Sequence, residues 1–131
     1  MAGMADTFAE SLQKTEETRD PDHLVRLFAD EAELRNLAIA HHGIEGARQF
    51  WQTYLDQFDE IRSEFSHRIE ADGQVALVWT SQGALKGGHP ITYRGVSVVE
   101  FTGDKVMRFE TIYDSAAFLV GDAQAKVVDR S

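Results

Sequence analysis

At 131 residues the chain has room for one domain, and its 43% apolar and 27% charged residues are ordinary for a folded globular protein. A net charge of -9 argues against nucleic acid or a membrane surface as partner, since both are gripped by clustered Lys and Arg. The absence of cysteine removes disulfides and thiolate chemistry, and with no long apolar run and no basic-then-apolar leader a cytoplasmic location is expected.

Residues 4 to 18 read as a helix, with Phe8 and Leu12 four apart on one face and Glu10, Lys14, Glu16 and Glu17 mostly elsewhere. Asp20-Pro21 restarts the chain as N-cap and first helical residue of a short second helix that carries Leu24, Leu27 and Phe28 to about Ala29. Ala32 to Leu37 reads as a weak strand before a loop through His41-His42. Gly43 to Phe58 is the clearest helix, because Ile44, Ala47, Phe50, Trp51, Tyr54, Leu55 and Phe58 follow steps of three and four.

From Ile61 onward the period changes to two, and Ile61, Phe65 and Ile69 alternate with charged residues. Asp72-Gly73, Gly87-Gly88 and Gly103-Asp104 then punctuate strands over Gln74 to Leu85, Pro90 to Phe101 and Lys105 to Asp114. Helices followed by an antiparallel meander predict an α+β fold in which one helical layer covers one sheet face. The chain reads as a single domain, residues 1–131, with its core over about 4–119 and a frayed tail over 120–131.

The stretches FADEAELRN, GIEGARQFW and GDKVMRFETIYDSAAFL, in this order, resemble the nuclear transport factor 2-like superfamily and more narrowly its SnoaL-like branch. That branch includes polyketide cyclases, ketosteroid isomerases and limonene epoxide hydrolases. The resemblance implies a cone-shaped, curved antiparallel sheet wrapped around a long helix, with two further N-terminal helices, a pocket between sheet and helices, and a homodimer. It does not carry a reaction over. The positions matching the two key carboxyls of the isomerases are Asn36 and Ser97, neither of which can act as a carboxylate base. Of the hydrolase set, Asn36 and Asp114 match, whereas Gln82 and Ala84 stand where an Arg and an Asp are needed.

Asp114 therefore reads either as an acid or base in the pocket or as an N-cap for Ser115 to Leu119. Asn36 either positions water or bonds its own loop. Thr80 and Gln82 share strand parity and are expected to face the pocket, joined by Ser97, while Trp79, Leu77 and Val75 would form an outer apolar stripe that a second copy covers. Trp51, Tyr54 and Phe28 are core residues or pocket walls, and His42 a candidate for the pocket mouth. The histidines show no ligand spacing and the glycines form no phosphate loop, so neither metal nor cofactor is expected. Two readings stay open: a cofactor-independent isomerase, cyclase or hydrolase acting on an apolar, oxygen-bearing metabolite, or a dimeric module that binds a small apolar or amphipathic molecule without turning it over.

Overall fold

The structure is a computed structural model that describes residues 3–119; the expected tail lies outside them. Helix α1 (Met4–Thr18) buries Phe8, Ala9, Leu12, Thr15 and Glu16, a stripe at helical spacing. It ends at Arg19, whose left-handed backbone (φ 63°) lets its N–H reach Thr15 O. The Arg19 guanidinium then donates to Leu55 O and Phe58 O, both at 2.8 Å. These carbonyls lie at the end of helix α3 (Gly43–Asp56) and the start of strand β3 (Phe58–Ala71), so one side chain fastens three elements.

The second helix is shorter than its apolar spacing predicts. Helix α2 (Asp22–Val25) is one turn, entered through an Asp20 side chain that accepts from Asp22 N–H at 3.0 Å. Strand β1 (Phe28–Arg35) then begins, four residues ahead of its expected start. The reason is tertiary: Leu27 O accepts Val106 N–H at 2.7 Å, and Phe28 pairs with Val106, so ladder bonds capture residues that could have extended the helix. The expected loop at His41-His42 is also a strand, β2 (Ala40–His42), paired antiparallel with β1.

Strands β4 (Gln74–Leu85), β5 (Pro90–Thr102) and β6 (Lys105–Tyr113) complete a six-stranded sheet of order β2-β1-β6-β5-β4-β3. The α+β fold and its meander agree with expectation. All neighbours are antiparallel except β1 and β6, which run parallel. At the β3–β4 turn Asp72 (φ 53°) and Gly73 (φ 77°) are both left-handed, as a two-residue type I′ turn requires. Register shifts after Phe58 and Phe65 in β3 and after Glu100 in β5 bend the sheet into a trough.

The helices fill the concave side. Phe8 of α1 lies parallel to Phe109 of β6 at 5.5 Å, and Trp51 of α3 packs on Phe109 at 5.1 Å. Each such buried ring contributes about 1.5–3 kcal/mol. On the sheet the inward residues of β4 are Val75, Leu77, Trp79 and Ser81, all buried. This corrects the expected facing of that strand: the apolar stripe points to the core, and Thr80 and Gln82 point outward to solvent. The convex face instead carries Ile69, Val96, Val98 and Ile112 as its exposed apolar residues.

Candidate functional site

Between α3 and the trough lies a cavity of about 60 Å³, several times the room that one water needs. Its described lining is largely aromatic and holds no Asp, Glu, Lys or Arg: Phe50, Trp51, Tyr54, Trp79, Tyr93, Phe109, Tyr113 and Phe118 supply rings. Ser63, Ser81, Ser97 and Thr111 supply hydroxyls. Exposed Ile39, Thr53 and Gln57 also line it and form its mouth.

The sheet register orders these groups. Ser63 of β3 pairs with Ser81 of β4, which pairs with Tyr93 of β5, giving one hydroxyl row across the trough. Two residues along, Trp79 pairs with Gly95, and Gly95 with Tyr113, an aromatic row. Two residues further, Ser97 pairs with Thr111, a second hydroxyl row. Gly95 makes the middle row possible, because a Cβ there would stand 2.6 Å from the Trp79 ring.

Under the first row sits Glu16, only 4% exposed. Its Oε1 accepts Ser63 N–H at 2.8 Å, and its Oε2 accepts the Ser63 and Tyr54 hydroxyls, each at 2.6 Å. Ser63 Oγ also bonds Ser81 Oγ at 2.6 Å. Burial pushes the Glu16 pKa up, with the bonds from Ser63 and Tyr54 opposing it. Burial, and next the Glu16 charge, likewise push the Tyr54 and Tyr93 phenols up, so both stay protonated at neutral pH. At the other row Trp79 Nε1 donates to Ser97 Oγ at 2.9 Å, and Ser97 Oγ donates to Thr111 Oγ1 at 3.1 Å.

Several residues singled out from the sequence meet here. Tyr54, Trp51 and Ser97 line the cavity, and Asn36 does so at its rim while its Oδ1 accepts from Ala38 N–H and Ile39 N–H, both at 2.9 Å. Asn36 thus both builds the β1–β2 turn and borders the cavity. Others lie elsewhere. Asp114 is exposed, and its Oδ1 accepts Ala116 N–H at 3.1 Å as the cap of the 3-10 helix Ser115–Phe118. Thr80 and Gln82 are on the convex face, and Phe28 is in the core beneath the cavity. Of the two adjacent histidines, strand alternation turns His41 into the lining and leaves His42 exposed. Among the described residues no three His, Asp or Glu side chains converge as metal ligands.

Sequence reasoning missed Glu16, Ser63, Ser81, Tyr93 and His41. The signal for Glu16 is present, since it continues the four-residue spacing of Phe8 and Leu12 on the buried face.

The chain belongs to the SnoaL-like domain family, which matches residues 8–109. No curated protein matches it in sequence. Among solved structures it is similar to a nuclear transport factor 2-like protein of unknown function from Exiguobacterium sp. 255-15, with 19% identity over 86% of this chain and 99% of that one, TM-score 0.73. It is also similar to a Catenulispora acidiphila protein with a ketosteroid isomerase-like fold in complex with trimethylamine, with 15% identity over 89% of each chain, TM-score 0.77. A third is TerC co-crystallised with polyporic acid, with 18% identity over 88% of this chain and 95% of that one, TM-score 0.74. At these identities the likeness is one of fold.

Proposed function

We propose that this protein binds a small, largely apolar, oxygen-bearing molecule in the cavity and performs cofactor-independent proton transfer on it, in the manner of an isomerase, cyclase or hydrolase. The carrying observation is a buried carboxyl, Glu16, joined through Tyr54 to a largely aromatic cavity. In this reading a substrate proton passes to the Tyr54 oxygen as the Tyr54 proton passes to Glu16, and the reverse transfer reprotonates the substrate elsewhere. Tyr54 touches the substrate, and Glu16 works through it. Small organic molecules held by two proteins of the same fold, trimethylamine and polyporic acid, support the binding half of the reading.

The test is a ligand screen followed by product analysis. Turnover that falls at least about a hundredfold in Glu16→Gln, with ligand still bound, is the expected result. Asp114→Asn is expected to leave both binding and turnover unchanged, because Asp114 only caps the segment after β6. Loss of turnover in Asp114→Asn with Glu16→Gln active would reverse the assignment. Saturable binding of a ligand recovered unchanged would instead favour a non-catalytic binding module. One observation favours that alternative: both Glu16 oxygens are occupied by protein donors, and among the described residues no carboxylate lines the cavity itself.

The proposed homodimer moves to different residues. Ile69 and Ile112 are 55% and 54% exposed, and together with Val96 and Val98 they give the convex face an apolar patch suited to a second copy. Val96→Glu with Val98→Lys is expected to turn a dimer into a folded monomer in light scattering at micromolar concentration. A native chain already at the monomer mass would remove the dimer.

A further inference from the structure

Asn36 and His41 stand on one face of the β1–β2 pair, and both border the cavity. Leu34 lies opposite His41 in the ladder and Asn36 N–H bonds Ile39 O at 3.0 Å, so Asn36 and His41 are diagonal cross-strand neighbours, about 7–8 Å apart. The turn decides which way the Asn36 carboxamide faces. Its nitrogen cannot accept from Ala38 N–H and Ile39 N–H, so the oxygen is spent on the turn and the NH2 group is what remains for a ligand. The His41 ring stands edge-on to Phe50, with centroids 6.1 Å apart, and neither of its nitrogens bonds a described residue. Whatever its tautomer, an imidazole keeps at least one N–H. The rim therefore offers donors from two side chains and calls for a ligand group with acceptor oxygens.

Charge narrows that group further. His41 is the one side chain in the described lining able to become positive near neutral pH, since an imidazole takes up its proton between about pH 8 and pH 5. An anion leaving water needs such a partner, and a cation would be repelled by it. The other charged or titratable groups around His41 lie outside the cavity. Glu33, Arg35 and His42 are exposed on the opposite face of the β1–β2 pair, Glu45 of α3 is exposed, and Arg48 pairs with Asp22. Glu16 is farther along: His41 meets α3 at Phe50, whereas Tyr54, with Glu16 behind it, is one turn onward, about 6 Å along the helix.

Resting on the pocket reading above, we propose that the cavity takes a small aromatic carboxylic acid, its ring among the aromatic side chains and its carboxylate at the rim between His41 and Asn36. Each carboxylate oxygen can accept from one of the two side chains. The imidazolium supplies the counter-charge.

The experiment titrates the full chain with phenylacetate, neutral phenylacetamide and cationic phenethylamine at about pH 6 and about pH 8, following the fluorescence of cavity-lining Trp51 and Trp79. At the lower pH phenylacetate is expected to bind at least about tenfold more tightly than either other probe. It should also bind about fivefold more tightly there than at the higher pH, because a bound carboxylate favours the protonated imidazole. Phenylacetamide should bind equally at both. His41→Gln should remove the pH step and most of the preference for phenylacetate, while unchanged phenylacetamide binding shows that the variant is folded. Glu16→Gln should keep the step. Asn36→Asp retains an oxygen for the turn but replaces the amide donor with a charge, and should weaken phenylacetate at least about tenfold. Phenylacetate binding no tighter than phenylacetamide, or a pH step that survives in His41→Gln or is lost in Glu16→Gln, overturns the rim assignment and leaves the pocket reading intact. Binding of none of the three probes overturns both.

Discussion

Glu16→Ala is expected to destabilise the fold by about 2–4 kcal/mol, because it strips the acceptor from a buried N–H and two hydroxyls at once. Glu16→Gln is expected to cost far less. Its amide keeps an oxygen for Ser63 N–H and brings donors to the hydroxyl oxygens. The two variants should also separate by pH. Burial lifts the Glu16 pKa above its ordinary value of 4.5, so the native state holds this proton more tightly than the unfolded chain. That contribution is fully present below the unfolded value and is lost as pH rises through the folded one. Glu16→Gln cannot titrate, so between about pH 4 and about pH 8 the stability difference should move in favour of the variant. Urea unfolding of both proteins across this range measures it. A difference that stays flat with pH would show that the folded carboxyl is not raised.

Gly95→Ala is expected to cost about 2–3 kcal/mol, the scale of an overpacked site. Its Cβ would stand 2.5 Å from Ile112 O and 2.6 Å from the Trp79 ring. The carbonyl belongs to the β5–β6 ladder and has little freedom, so the clash with it strains the backbone, and the indole must give way as well. Moving it breaks the Trp79–Ser97 bond and crowds the cavity from its floor. Loss of stability in urea, together with a changed near-ultraviolet circular dichroism spectrum, is the expected result. A variant with native stability and a native spectrum would show that the sheet flexes enough to accept the methyl group.

The strands and turns were legible because each depends on local chemistry. Asp72-Gly73 specifies its turn by backbone conformation alone, and α1 runs from Met4 to Thr18 as the apolar spacing predicts. Phe28 was not legible, because its strand conformation comes from Val106 far along the chain. The facing of β4 was legible in principle. Val75, Leu77 and Trp79 alternate with smaller or more polar residues, and an apolar stripe belongs against the core. The opposite expectation followed from matching Gln82 to a hydrolase position, and the alternation of buried residues decides against it. Asn36 and Asp114 show a related ambiguity. Short polar side chains that can serve a ligand can equally serve nearby backbone N–H groups, and both do so here. Glu16 is the reverse case, an acid on an apolar stripe, whose burial becomes intelligible only when Ser63 and Tyr54 are brought to it.

The parallel β1–β6 ladder bears on how the cavity comes into being. Hairpins β3–β4, β4–β5 and β5–β6 join neighbours in the chain, whereas Phe28 and Val106 must meet across a loop of about 80 residues. The meander can form from local contacts, while β1, with the Asn36 turn beside it and α3 following, closes over it at greater entropic cost. Before that closure the trough has a floor but no roof, so assembly of the cavity is expected to fall in the last, longest-range step of folding. Anything that fills the finished cavity should hold that step closed, slowing amide exchange in β1 and α3 more than in the hairpins.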